Sequence, residues 1–412
     1  MKLSNYVTFN DKKLERRYAD APIKMSHLYE AYFDGDIDIP GDIFGLLRDR
    51  NAFIEFKLTW QHLKWAVTNF VWEATIHSKR QDTRIVREHY DRGNDFFGWF
   101  LGERMVYTSG FFLKPGESLE EAQDNKLNLV CQKLKLAPGE RLLDIGCGWG
   151  TLARHAALHY GVDATGVTLS KEQTSFANQR IEEWGVQDRA RVLCLDYRDS
   201  PQEKFDKIVS LEMVEHVGVK NLKKFYGLVH DRLADDGIFV LQWTGLRRGL
   251  RPEDLIWGLF MNKYVFPGAD ASLCPSRMLK AMEKAGFEFH SVENVTIHYS
   301  WTIQRWFDNW VSNRAAIVEA YGERWFRIWK FFLAWSVIIG EQGNAACFQV
   351  VANKNLDHYA RQRWILDKGP VLGDRVGLLE APASAPPPVI EVPVPEALVV
   401  KPQKRAPTAA PD

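Results

Sequence analysis

A glycine-rich segment at residues 142–150 carries the clearest signature of chemistry in the chain. Its sequence is Leu-Leu-Asp-Ile-Gly-Cys-Gly-Trp-Gly, and the next four residues can begin a helix. A strand, a glycine turn and a helix N-terminus present backbone N–H groups and a positive dipole to a nucleotide-like ligand. The spacing differs from G-x-G-x-x-G, so it is not the dinucleotide fingerprint. We predict a cofactor loop at Asp144, Gly146, Cys147, Gly148, Trp149 and Gly150; the alternative is a glycine-rich turn of another α/β domain.

Polar residues also follow the other predicted strands. Ligands of open parallel sheets bind beyond the carboxyl ends of the strands, so these residues should meet at one edge. Hydroxyl and amide groups there can hold a ribose, and the Asp196 carboxylate can accept a hydrogen bond from an adenine amine. Each residue alone is explained as well by a cap or a turn, but their convergence favours a site. The set comprises Thr168, Leu169, Ser170, Gln173, Asp196, Tyr197, Arg198, residues 212–216 and Gln242.

Five predicted strands must position these residues. They cover 141–145, 163–167, 191–195, 207–211 and 238–242. Segments of helical composition, such as 171–184 and 222–233, separate them. This alternation predicts an α/β fold with a doubly wound, mostly parallel sheet, in the manner of a Rossmann-like domain.

Composition narrows the class of partner. Lys+Arg and Asp+Glu both number 53, so no field of one sign argues for nucleic acid. Aromatic residues make up 13%, which indicates an apolar substrate or contact with a membrane surface. The five cysteines form no C-x-x-C pair, so we expect neither a metal site nor a disulfide framework. No signal peptide and no uncharged run of roughly 18–20 residues is evident, and we expect a cytoplasmic protein peripherally associated with membranes.

Three regions are expected along the chain. Residues 1–85 should form a helical N-terminal region, with an apolar stripe that packs on the main domain in preference to lying in a membrane interface. The stripe consists of Phe53, Phe56, Trp60, Leu63, Val67 and Val71. Residues 86–365 should form the cofactor domain, with a helical lipid-site insertion at about 246–340 and a return to strand at 346–352. Residues 380–412, rich in Pro and Ala, should be a disordered tail.

Six motifs give the chain a specific resemblance. They are H-Y-D-x-G-N-D-F-F (89–97), Y-T-S-G (107–110), L-D-I-G-C-G-W-G (143–150), G-V-T-L-S-x-E-Q (166–173), D-Y-R-D (196–199) and E-H-V-G (215–218). Over residues 84–352 the chain resembles the cyclopropane-fatty-acyl-phospholipid synthase superfamily. These S-adenosylmethionine-dependent methyltransferases alkylate an unactivated alkene in a lipid chain. Segments 211–218 and 258–270 look most like the fungal sphingolipid C-methyltransferases, which place a methyl branch on carbon nine of the sphingoid base.

The resemblance implies roles for individual residues. Glu215 would be the active-site carboxylate. Cyclopropane synthases hold a bicarbonate base with a Cys, a Glu, a His and a Tyr, whereas this chain has Ser109, Glu215, Gln242 and the pair 331–332 (Phe-Phe) at those positions. Bicarbonate or water could still occupy that base site. The implied cofactor contacts are Tyr107, Thr108, Gly146, Gly148, Thr168, Leu169, Gln173, Tyr197 and Arg198.

The fate of one proton decides the product. Loss from the new methyl group closes a cyclopropane ring, whereas loss from the methylated carbon restores an alkene that bears a branch. Because the histidine is replaced by Gln242, we predict the branch, with Glu215, Ser109 and Gln242 as catalytic residues. One alternative is a cyclopropane synthase; another is an inactive lipid-binding module with the same fold. The expected partner is a membrane lipid at the bilayer surface, with no nucleic acid, and a homodimer stays open.

Overall fold

The structure, a computed structural model, describes residues 2–60, 93–357, 361, 362 and 364. Residues 2–60 form short elements that alternate between helix and strand. Strand β1 (Thr8–Phe9) pairs with β3 (Ile37–Asp38), and β2 (Ile23–Lys24) pairs with β4 (Ile54–Glu55). The helices between them are α1 (Lys12–Tyr18), α2 (Met25–Asp34) and α3 (Ile43–Arg48).

The predicted helical stripe is wrong at its start. Phe53 ends a short 3₁₀ helix, and its carbonyl accepts a hydrogen bond from the N–H of Ile23 at 3.0 Å. Phe56 follows β4 and is not helical, because pairing of β4 with β2 overrides the local helical periodicity. Trp60 is 76% exposed. The rest of the stripe, residues 89–92 and the predicted tail lie outside the described residues.

A seven-stranded sheet forms the centre of the described structure, and the predicted α/β fold is confirmed. Its strands run in the order β10–β11–β9–β8–β5–β6–β7, in which β5 to β9 are mutually parallel and β10 and β11 are antiparallel to their neighbours. The strands are β5 (Arg141–Ile145), β6 (Asp163–Thr168), β7 (Ala190–Cys194), β8 (Phe205–Leu211), β9 (Leu233–Leu246), β10 (Phe287–Asn294) and β11 (Ala345–Lys354).

Helices flank this sheet and precede or follow its strands. Helix α5 begins at a capping box, in which the Ser118 and Glu121 side chains satisfy each other's backbone N–H groups. The helices that accompany the parallel strands are α4 (Asn94–Leu101), α5 (Leu119–Lys133), α6 (Thr151–Tyr160), α7 (Lys171–Glu183) and α8 (Leu222–Arg232). The predicted helices 171–184 and 222–233 are thus confirmed.

The predicted helical insertion also contains a strand. Its helices are α9 (Pro252–Tyr264), α10 (Pro275–Lys284), α11 (Thr296–Ser312), α12 (Arg314–Tyr321) and α13 (Glu323–Glu341). Strand β10 lies between α10 and α11 at the edge of the sheet. Its period-two signal is hard to see in the sequence because a register shift interrupts the pairing between Phe289 and Ser291.

Residues 2–60 and the insertion share one hydrophobic core. Phe33 of α2 contacts the rings of Phe260 on α9 and Phe331 on α13, with ring centroids 6.3 and 6.0 Å apart. Arg50 is 1% exposed and bonds Glu253 of α9 through Nε and Nη2, at 2.5 and 2.8 Å. The N-terminal residues therefore belong structurally to the body that covers the sheet.

Candidate active site

A cleft opens at the carboxyl ends of β5 to β8, with an empty volume of about 1110 Å³ including its mouth. This is where parallel α/β sheets bind their ligands. The structure brings most of the predicted cofactor residues to its wall. They are Tyr107, Thr108, Asp144, Gly146, Cys147, Gly148, Trp149, Thr168, Leu169, Gln173, Asp196, Tyr197 and Arg198.

Two glycines of the loop serve the cleft in different ways. Gly146 has φ +81°, and a Cβ atom there would lie 2.4 Å from Cγ of Met213. Gly148 has φ +54°, but a Cβ atom there would meet no atom within 4 Å. Gly146 is thus required by both backbone and packing, whereas Gly148 keeps space open beside the cleft.

Gly150 and Ser170 were predicted to bind the cofactor, but they do not line the cleft. Gly150 lies where α6 begins, and a Cβ atom there would be 2.8 Å from Cβ of Ala177. Ser170 caps α7, because its hydroxyl accepts a hydrogen bond from the N–H of Gln173 at 3.2 Å. Both positions support the site through local structure.

Polar side chains at the ends of β6 and β7 are held in fixed pairs. The Thr168 hydroxyl donates to the amide oxygen of Gln173 at 2.6 Å. Arg198 donates to Asp196 from Nε at 2.7 Å and from Nη2 at 2.5 Å. These pairs line the cleft and hold its polar groups in fixed positions.

Three ionisable residues, Lys126, Asp144 and Glu212, line the same cleft, and the first two are buried. Lys126 of α5 is 3% exposed, and burial lowers its pKa to about 8 against the opposing effect of Glu212. Burial raises the pKa of Asp144 to about 7, although Lys126 acts in the opposite direction. Sequence reasoning missed Lys126. The signal was present, since Lys126 shares a helix face with Ala122 and Val130 at i−4 and i+4.

Glu212 was also not assigned a role, although it follows β8 and lines the cleft. Its φ of +57° is unusual for a residue with a side chain. Its carboxylate Oε1 accepts hydrogen bonds from Nε2 of Gln242 at 2.8 Å and from Sγ of Cys347 at 3.2 Å. Burial raises the pKa of Glu212, and hydrogen bonding by Gln242, Tyr299 and Cys347 acts in the opposite direction.

Glu215 lies in the short 3₁₀ turn (Val214–His216) just beyond Glu212. Its Oε1 accepts a hydrogen bond from the N–H of Thr244 at 2.6 Å. Its Oε2 is buried and makes no hydrogen bond within the described part of the chain. The residue as a whole is half-buried, but this inaccessible oxygen explains why burial raises the pKa of Glu215. The charge of Glu212 raises the pKa of Glu215 further.

The other two predicted catalytic residues, Gln242 and Ser109, make different contacts. The Gln242 amide donates to Oγ1 of Thr108 at 2.9 Å as well as to Glu212. The Ser109 hydroxyl donates instead to the Gly110 carbonyl at 2.7 Å, and Ser109 is 1% exposed. The pair at 331–332 consists of buried core rings. Geometry therefore joins Gln242 to Glu212, which the sequence analysis placed among the residues at the strand ends but did not name as catalytic.

The described residues offer neither a metal-binding cluster nor a membrane-spanning helix. Across residues 2–60 and 93–357, no cluster of three or more His, Cys, Asp or Glu side chains is placed to hold a metal ion. Within the same part of the chain, no helix has the length and apolar character needed to cross a membrane.

Known proteins show what the chain is similar to. Residues 77–350 match the family model described as mycolic acid cyclopropane synthetase. A sphingolipid C9-methyltransferase of Komagataella phaffii is 48% identical over 375 residues, which cover 88% of this chain and 77% of that protein. Sphingolipid C9-methyltransferase 2 of Gibberella zeae is 46% identical over 361 residues, covering 86% and 69%.

A solved structure is similar to about two thirds of the chain. Mycolic acid cyclopropane synthase CmaA1, complexed with SAH and CTAB, has a TM-score of 0.63 and 28% sequence identity. The match covers 66% of this chain and 98% of that one.

Proposed function

Because the chain belongs to the mycolic acid cyclopropane synthetase family and is an S-adenosylmethionine-dependent methyltransferase, we propose that it methylates a carbon–carbon double bond of a sphingoid chain. The proposed product carries a methyl branch at carbon nine and keeps its double bond. The substrate class is supported by the relatives named sphingolipid C9-methyltransferase. The observation that carries the branched product is the hydrogen bond of Gln242 to the cleft carboxylate of Glu212.

The residues of the cleft fit the proposed cofactor. Open space beside Gly148 would admit a ligand close to the backbone, and Asp196 and Thr168, which line the cleft, would contact the adenosyl group. Tyr107 and the acids Asp144 and Glu212 surround the same space and suit a cationic sulfonium. The bound cofactor would supply an electrophilic methyl group. The residues of the protein would exclude water and remove one proton.

The protein must handle a cation on the lipid chain. Methylation of an alkene leaves a positive charge on the neighbouring carbon, so water has to be excluded and one proton has to be removed selectively. Apolar residues of the cleft wall, such as Leu211 and Met213, exclude water, and the buried acids compensate the charge. An amide at position 242 can hold an acid in place, but it cannot titrate as a histidine would.

The lipid is proposed to be reached at a bilayer surface. Leu250 and Leu255 are 54% and 44% exposed at the start of α9, next to the exposed Arg248 and Arg251. Exposed leucines beside arginines suit a membrane interface with anionic headgroups.

Association of two copies into a homodimer is a separate open question, and sedimentation of the pure protein would test it.

A deuterium experiment tests the proposed function. The protein is incubated with S-adenosylmethionine labelled as CD₃ and with vesicles that contain either an unsaturated ceramide or an unsaturated phospholipid. The branched product retains all three deuterium atoms, whereas a cyclopropane loses one of them. A cyclopropane as the main product favours the alternative supported by similarity to the cyclopropane synthase CmaA1. Cofactor binding without any methyl transfer would indicate an inactive lipid-binding module.

A further inference from the structure

We propose that Glu212 is the base that removes the proton from the methylated carbon, and that Glu215 is its protonated partner. This inference rests on the proposed function, because only the branched product requires that proton to leave. It assigns the base to a side chain of the protein in place of a bound anion.

The first support is position. Glu212 lines the cleft together with Gly146, Gly148 and Met213, whereas Glu215 does not line it. A base must come within hydrogen-bond reach of the proton that it removes. Of the two carboxylates, Glu212 is therefore the one placed to meet a substrate beside the glycine loop.

The second support is a chain of hydrogen bonds with one direction. Lys133 can only donate, so its bond to Gln349 fixes the Gln349 oxygen as the acceptor. The Gln349 amide then donates to the oxygen of Gln242 at 2.9 Å. The NH₂ group of Gln242 is left to donate to Glu212 at 2.8 Å. Lys133 is itself paired with Glu293, so the chain acts through its direction: it leaves the Gln242 NH₂ group to donate to Glu212, which favours an ionised carboxylate there.

The two carboxylates differ in how well each can carry that charge. Burial raises the pKa of both carboxyl groups. Against this effect, Glu212 accepts hydrogen bonds from Gln242 and Cys347, and Tyr299 and Lys126 also act to lower its pKa. Glu215 accepts one hydrogen bond, from Thr244, and its other oxygen is buried without a partner in the described part of the chain. Neighbouring buried acids do not both ionise readily, so the proton resides on Glu215 and the charge on Glu212.

The third support is the backbone. Glu212 is held at φ +57°, and its N–H donates to the Gln242 carbonyl at 2.8 Å. A left-handed conformation costs energy for any residue with a Cβ, and such strain concentrates at functional sites. The same strand that orients the Gln242 side chain therefore also fixes the main chain of Glu212.

The step balances without any further reactant. The π electrons of the alkene form the new C–C bond to the methyl group, while the S–C bond breaks and its electron pair stays on sulfur. The adjacent carbon becomes cationic. An oxygen of Glu212 takes the proton from the methylated carbon, and the electron pair of that C–H bond re-forms the double bond. The carboxylate also offsets the cation until the proton leaves.

A matched set of variants tests the assignment. We expect Glu212→Gln to slow formation of the branched lipid by about 10²–10⁴-fold, the usual contribution of a general base, with cofactor binding retained. Glu215→Gln imitates the protonated acid, so it should keep the branched product and lose far less activity than Glu212→Gln. Glu182→Gln, on the exposed surface of α7, is the control and should not change the rate.

Two further readouts separate a catalytic role from a structural one. In Glu212→Gln, the surviving product from CD₃-labelled cofactor should shift toward species that have lost deuterium, because the cation then loses a proton from the new methyl group. Glu212→Gly suits the left-handed backbone and leaves a space of carboxylate size, so formate or bicarbonate should restore branched product.

The outcomes distinguish the two proposals. If Glu215→Gln is the inactive variant and Glu212→Gln retains the parental rate and product, the assignment of the base is overturned while the proposed function stands. If the parent protein forms no branched lipid, both are overturned. Loss of rate in Glu212→Gln with an unchanged deuterium pattern, and no rescue of Glu212→Gly, would reduce Glu212 to a structural residue.

Discussion

Replacement of Arg50 by methionine tests how firmly residues 2–60 are attached to the cleft-bearing body. The guanidinium bonds both oxygens of Glu253, the Leu47 carbonyl at 2.6 Å and the amide oxygen of Gln342 at 2.6 Å. It therefore connects the end of α3 to the start of α9 and the end of α13. Methionine keeps much of the apolar stem but removes all of these donors.

The expected loss follows from burial. The side chains of Arg50 and Glu253 are 1% and 12% exposed, so removal of the arginine leaves a carboxylate poorly solvated. Breaking a buried pair on one side costs about 3–5 kcal/mol. At about 2–4 °C for each kcal/mol in a body of this size, we expect the melting temperature of Arg50→Met to fall by roughly 10 °C.

Thermal unfolding followed by circular dichroism measures this loss. The control is Arg48→Met, which breaks the exposed pair with Glu341 (51% and 32% exposed) and should cost at most about 1 kcal/mol. The double variant Arg50→Met with Glu253→Leu should regain most of the stability, since no unpaired charge remains. A fall no larger than that of Arg48→Met, or a double variant as unstable as the sum of the singles, would refute the reasoning.

Three other predictions follow from the cleft and the surface. Gly148→Ala should weaken cofactor binding, measured by calorimetry, by about tenfold and lower the melting temperature slightly through strain at φ +54°, whereas Gly146→Ala should lower that temperature more because it adds a clash with Met213. Burial raises the pKa of Asp144 from 3.8 to about 7, so the folded state binds the extra proton and the free energy of unfolding falls as pH rises from about 4 to 7. Asp144→Asn lacks this decline, and its melting temperature relative to the parent should increase between pH 5 and 8; a constant difference would contradict the buried-acid explanation. Replacement of Leu250 and Leu255 by Ser should reduce flotation with anionic vesicles at least severalfold, and unchanged flotation would exclude this surface.

The parallel strands and the glycine loop could be predicted because their signals are local. Apolar runs such as 141–145 end at turns, and the residues after them reach one edge of the sheet whatever lies between. Strand β10 was missed because its bulge interrupts the alternation. The helical stripe near Phe53 failed because pairing of β4 with β2, thirty residues away, decided the local backbone.

The role of Glu212 could not be predicted from its neighbours in sequence. Its hydrogen-bond donors Gln242 and Cys347 lie 30 and 135 residues away, and the pairings of β8 with β9 and of β9 with β11 bring them to Glu212. Ser109 and Gln242 were equivalent candidates in sequence. In the structure the Ser109 hydroxyl donates to the neighbouring Gly110 carbonyl, whereas the Gln242 amide donates to Glu212 in the cleft. The burial of Lys126 could have been predicted, because this lysine lies on an apolar face of its helix.

The core shared by residues 2–60 and the insertion has a consequence for cooperativity. Because Phe33 packs on both Phe260 and Phe331, the N-terminal helices cannot detach without exposing the interior of the insertion. These parts should therefore open as one unit, and their amide hydrogens should exchange with solvent at a common rate. A ligand that stabilises α9 would then slow exchange in α2 as well. Binding at the proposed lipid-facing surface would be communicated to the N-terminal helices through packed aromatic rings.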